Sequence, residues 1–67
     1  MTSEDIHIKK INNAIRCIRL GLKTPSEAGG GYHLNKLRRY NIGMYVEMLA
    51  KYSRVMLDYN IKKDLQV

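Results

Sequence analysis

Few residues of this chain could act as nucleophiles, proton carriers or metal ligands: His7, His33 and a single cysteine, Cys17. A metal site needs His, Cys or carboxylate groups converging at short spacing. These three lie in separate stretches, and no Cys/His/Asp cluster of the sequence has metal-ligand spacing. A catalytic Cys17 would need a neighbouring base and a site for an oxyanion, and the chain offers neither. His7 falls at the edge of an apolar row and His33 at a helix start, so both are expected to be structural or exposed, and Cys17 to be a small half-buried residue. A ligand-sized pocket is also hard to build in 67 residues. The reading is a protein without catalytic residues, metal or cofactor.

The abundant chemistry is cationic. Twelve Lys and Arg face six Asp and Glu, for a net charge of +6 and an isoelectric point near 9.7. The excess is uneven: residues 9–39 hold Lys9, Lys10, Arg16, Arg19, Lys23, Lys36, Arg38 and Arg39 against Glu27 alone, which is +7, and the rest of the chain sums to −1. Lys9, Asn12, Arg16, Arg19 and Lys23 recur at steps of three and four, one ridge of a helix, with Asn13 beside it. Such a ridge neutralises phosphates, and amide side chains hydrogen-bond phosphates, sugars or base edges. It would equally serve to keep the protein soluble. The expected nucleic-acid contacts, DNA or RNA, are Lys9, Asn12, Arg16, Arg19, Lys23, Lys36, Arg38 and Arg39. The run Gly29, Gly30, Gly31 is neither a P-loop nor a dinucleotide fingerprint, since no Gly-Lys-Ser/Thr follows it.

The elements that must position these residues are helical. A first helix is expected over residues 3–20, capped by Thr2 or Ser3, with Glu4 and Asp5 in the first turn where the dipole favours acids. Its apolar row is Ile8, Ile11, Ile15, Ile18 and Leu22, with Gly21 as the C′ residue of a Schellman-type stop and Leu22 packing from the cap. Thr24-Pro25-Ser26-Glu27 combines an N-cap, a proline at N1 and a glutamate at N3, so a helix turn should begin at Pro25. The glycines are read as a break, placing a loop with a short turn over residues 21–32. One long helix is expected over residues 33–62, with Asn41-Ile42-Gly43 as the point where it could kink or split, and residues 64–67 are expected to fray. Residues 35–42, Asn-Lys-Leu-Arg-Arg-Tyr-Asn-Ile, resemble the end of a recognition helix in Fis-type helix-turn-helix domains. The similarity covers eight residues, and no site is carried over from it.

On a wheel at ~100° per residue, the long helix shows an apolar arc roughly 200° wide, against somewhat over ~100° for an ordinary surface helix. Tyr45, Tyr52 and Tyr59 form its central column, Met48 and Val55 flank one side, and Ile42, Leu49 and Met56 flank the other. The isoleucine row can cover one of these seams. The expected architecture is therefore all-α: one small domain over residues 1–67, a hairpin of two long helices joined by the glycine-rich loop. It dimerises into a four-helix arrangement through Ile42, Tyr45, Leu49, Tyr52, Met56 and Tyr59. The rival is a three-helix monomer in which residues 25–40 fold back as their own helix. No apolar run approaches the ~20 residues that span a bilayer, and the opening residues are acidic where a secretion signal needs bases, so a cytoplasmic protein with no membrane partner is expected. Function follows as an expectation: a small non-enzymatic basic binding protein acting on nucleic acid or a nucleoprotein complex. The alternative is a protein-interaction module (an inhibitor, adaptor or accessory subunit) using the broad apolar face.

Overall fold

Short-range cap chemistry sets most of the helix ends. The computed structural model describes residues 2–65 and contains α1 (Ser3–Arg19), α2 (Pro25–Ala28), α3 (Gly30–Tyr40) and α4 (Ile42–Leu65), with no strand among those residues. At the start of α1 the Thr2 hydroxyl accepts the Asp5 N–H at 3.2 Å, and the Asp5 carboxylate accepts the Thr2 N–H at 3.4 Å, a reciprocal capping box. At its end Gly21 takes φ 74°, so that the Leu22 N–H reaches the Cys17 carbonyl at 2.9 Å and the Gly21 N–H reaches that of Ile18 at 3.2 Å. This is the expected Schellman stop. Leu22 itself is 68% exposed, because the left-handed turn carries it off the helix face, so the apolar row ends at Ile18 and the expected packing of Leu22 is corrected.

The second capping box also forms. Thr24 N–H donates to Glu27 Oε1 at 3.0 Å, the Glu27 N–H donates to the Thr24 hydroxyl at 3.4 Å, and Pro25 occupies the first turn of α2. The Thr24 backbone N–H, then its hydroxyl, and then Lys23 hold the Glu27 carboxyl below its ordinary value. Gly29, at φ 72°, ends α2 and leads directly into α3. The expected loop over residues 21–32 is therefore too long at its end, since Gly30 and Gly31 are helical. Gly30 is buried under the ring of Tyr52, and a Cβ built there would lie 2.5 Å from Tyr52 Cε2. Close helix approach, rather than chain flexibility, is what this glycine provides.

The single helix expected over residues 33–62 is two helices, and Asn41 is the reason. Its backbone is extended, with φ −156° and ψ 99°. Its N–H closes α3 on the Leu37 carbonyl at 2.9 Å, and its side-chain Oδ1 opens α4 by accepting the Met44 N–H at 3.1 Å. The remaining amide group donates to Glu4 Oε1 on α1 at 2.8 Å. The two-helix hairpin thus gives way to three helices, α1, α3 and α4, each packed on the other two, with α2 against α1. The core between them is Ile11, Ile15, Ile18, Leu34, Leu37, Met48 and Val55, of which Ile11 and Leu37 are fully enclosed. Folding back α3 is what buries Leu34 and Leu37. The helix α4 continues through Leu65; of the tail expected to fray, Gln66 and Val67 lie outside the described residues. No helix among the described residues is long and apolar enough to cross a membrane.

Candidate nucleic-acid interface

The faces of α1 separate by chemistry. Ile11, Ala14, Ile15 and Ile18 are buried, while Lys9, Asn12, Arg16 and Arg19 are all exposed, roughly 120° around the helix from the isoleucines. From Lys9 to Arg19 the ridge rises ~15 Å. An open hollow on this face is lined by Lys9, Lys10, Asn12, Asn13 and Arg16, with no acid among them. The acids of α1, Glu4 and Asp5, sit in its first turn, and Asp5 is engaged in the cap. Cations held this way, without a carboxylate beside them, are free to exchange their counterions for phosphates.

The structure divides the expected contact residues among four places. Lys9, Asn12 and Arg16 share the hollow. Lys23 lies across a smaller pocket of about 170 Å³ from Lys10 and Asn13, with Cys17 and His33 also in its wall. Arg19 meets two lysines that sequence reasoning assigned to the charge-balanced half: it lines a cleft of about 500 Å³ with Asp58, Lys62 and Lys63, where the ends of α1 and α4 come together. Nothing in the local sequence marks Lys62 and Lys63, because their relation to Arg19 arises only when α4 is laid along α1. On α3, Arg38 and Arg39 are exposed in the last turn. Lys36 is half-buried, with its ammonium 5.5 Å from the centroid of the Tyr32 ring, so part of its charge is directed at an aromatic face.

His7 and His33, from separate stretches of the sequence, meet between α1 and α3 with their Nδ1 atoms 3.0 Å apart. At least one must present an unprotonated Nδ1 for the bond to exist. Tyr40 stacks on His7 with centroids 5.7 Å apart, and Tyr32 meets His33 edge-on at 5.1 Å. Burial first, then the neighbouring His7 and Lys10, holds the His33 imidazole below its ordinary value. Among the described residues no group of three or more His, Cys, Asp or Glu converges to hold a metal ion. Cys17 is a half-buried free thiol.

The six residues expected at an interface divide as well. Tyr45, Tyr52, Met56 and Tyr59 pack partly buried against the chain's own core, whereas Ile42 is 62% and Leu49 37% exposed. The tyrosine column therefore closes the core, and the side of α4 beyond it stays open. Comparison with protein-family models, with curated proteins and with solved structures finds no match for this chain.

Proposed function

We propose that this chain is a small, non-enzymatic helical binding protein that contacts nucleic acid, or a nucleoprotein complex, through phosphate neutralisation, and that it works as a pair of copies. The observation that carries this reading is the exposed row Lys9, Asn12, Arg16, Arg19, roughly 120° around α1 from its buried isoleucines, with no acid lining the hollow shared by Lys9, Asn12 and Arg16. Lys62 and Lys63 extend the row around the end of the molecule beside Arg19. Contacts of this kind displace condensed counterions, so affinity falls with a slope of about −0.9 per phosphate in log–log salt titrations of duplex DNA. Base readout is a minor part of the mechanism, with Asn12 and Asn13 as the side chains suited to it.

The test is a fluorescence polarisation titration of labelled duplex DNA and of RNA at about 50 mM salt and upward. Binding that weakens steeply with salt is the expected result, and the pair Arg16→Glu with Arg19→Glu abolishes it while leaving the helical circular dichroism intact. Absence of binding by the wild-type chain at the lowest salt overturns the reading. A second reading, a protein-interaction module, is favoured by the open apolar side of α4. Under it Leu49→Asp abolishes partner capture and the two charge reversals have little effect.

A further inference from the structure

The core consumes only one side of α4. Met48 and Val55 are buried, and the tyrosines beside them are half-buried. Around the helix from them, Ile42 is 62%, Val46 57%, Leu57 60%, Ile61 48% and Leu49 37% exposed. At ~100° per residue these five share one strip with Ala50, Ser53 and Asn60, and no charged residue falls on it between residues 42 and 61. Glu47, Lys51, Arg54 and Asp58 lie together on the adjoining strip instead. Gly31 and Asn35 of α3 form a bank along one edge of the open strip, making a shallow groove with Leu49, Ser53 and Leu57.

We propose that a second copy of this chain covers this strip, the two α4 helices lying antiparallel and crossing at Ser53. This rests on the self-association in the functional reading above, and names the surface and register that produce it. Four observations point to a copy of the same chain. First, the strip accommodates a two-fold axis at Ser53. A two-fold axis there sets Leu49 against the partner's Leu57 and Val46 against the partner's Asn60, while the small side chains of Ala50 and Ser53 permit close approach at the crossing. A closed two-fold pair requires such a pattern. Second, Ser53 lies at the middle of Ile42–Leu65, so this register engages the full ~36 Å of the helix. The same register brings the partner's Asp64 to Ile42, at the positive end of the α4 dipole. A parallel pair would instead stack Asp64 on its own copy.

Third, the five aliphatic residues are each between 37% and 62% exposed, a contiguous apolar patch of the kind that marks an interaction surface. Fourth, the charge distribution allows it. Of the net +6, α4 carries four bases (Lys51, Arg54, Lys62, Lys63) and three acids (Glu47, Asp58, Asp64), hence only +1. Pairing through α4 brings the nearly neutral helices together.

Analytical ultracentrifugation of the wild-type chain at tens of micromolar, together with engineered cysteines in a Cys17→Ser background, tests the proposal. A species at twice the 7.8 kDa chain mass is expected. Under oxidation, Ser53→Cys forms a covalent dimer, and so does the double variant Val46→Cys with Asn60→Cys. Asn60→Cys alone does not, because antiparallel packing holds the two copies of residue 60 ~21 Å apart along the axis, far beyond the ~7 Å a disulfide spans. A wild-type species at 7.8 kDa overturns the proposal, whether or not the chain binds nucleic acid. A dimer that crosslinks through Asn60→Cys alone keeps self-association and the functional reading, and overturns the antiparallel register. The polarisation titration is read separately, so loss of phosphate binding and loss of pairing are distinguishable.

Discussion

Gly30 and Gly31 are chain neighbours in the first turn of α3, yet alanine at the two positions should move stability in opposite directions. At Gly31 a new Cβ meets nothing within 4 Å, so Gly31→Ala gains the helix preference of alanine. That gain is about 0.5–1 kcal/mol in a helix. At Gly30 the same carbon would lie 2.5 Å from Tyr52 Cε2, 3.1 Å from Cζ and 3.2 Å from Cδ2. Gly30 is buried and the Tyr52 ring is packed against the core, so relief requires either α3 or the ring to move. Overpacking of this kind costs ~1–3 kcal/mol, and after the helix gain a net loss of up to ~2.5 kcal/mol, centred a little above ~1 kcal/mol, remains for Gly30→Ala. For a domain of this size each kcal/mol shifts Tm by ~4–8 °C, so the melting point should fall by roughly 5–10 °C for Gly30→Ala and rise by a few degrees for Gly31→Ala. The assay is thermal unfolding by far-ultraviolet circular dichroism at one fixed protein concentration, because any self-association would make Tm concentration-dependent. In a Tyr52→Leu background the penalty at Gly30 should shrink, and the coupling measures the contact directly. If both alanines raise Tm alike, Tyr52 does not lie over Gly30 and the packing of α3 on α4 described here is wrong.

Acid should weaken the fold through His33. Its imidazole is held below the ordinary value of 6.5 by burial, His7 and Lys10, so between its folded value and 6.5 the unfolded chain binds more protons and stability rises with pH. The contribution is complete above 6.5 and is lost as pH falls through that window; urea midpoints measured at several pH values should decline accordingly, and a midpoint that is flat or rises toward acid would refute the assignment. Asn41→Ala removes the cap of α4 and the bond to Glu4 together, and should cost ~0.5–2 kcal/mol. Urea unfolding measures that loss, and an unchanged midpoint would show that the corner needs neither contact.

Legibility in the sequence followed the range of the interaction. A Thr2 or Ser3 cap, Gly21 with Leu22, and Thr24 with Glu27 act within a turn or two, so the ends of α1 and the start of α2 are legible locally, although the choice of Thr2 and its reciprocal bond with Asp5 are not. The row Ile11, Ile15, Ile18 was legible for the same reason, since a helical period is a local property. Asn41 was visible as a candidate break but not as a decisive one. Its residue type permits both a kinked helix and a cap, and the choice depends on Glu4 and on the burial that α3 gains by folding back. Gly30 was misread because composition shows a glycine run and cannot show a tyrosine standing over one member of it. The His7–His33 contact bridges 26 positions, and the company of Arg19 with Lys62 and Lys63 spans still more of the chain. Those relations exist only in the packed fold.

A corner made of one residue has mechanical consequences. Two backbone torsions and one amide side chain fix the angle between α3 and α4, with no spare chain to absorb a change. The same amide fastens the opening turn of α1 to that corner. The outward arginines and lysines of α1 and the greasy flank of α4 are thus held like the two arms of a bracket. A change at Asn41 would therefore re-aim the cationic ridge and the apolar flank relative to each other.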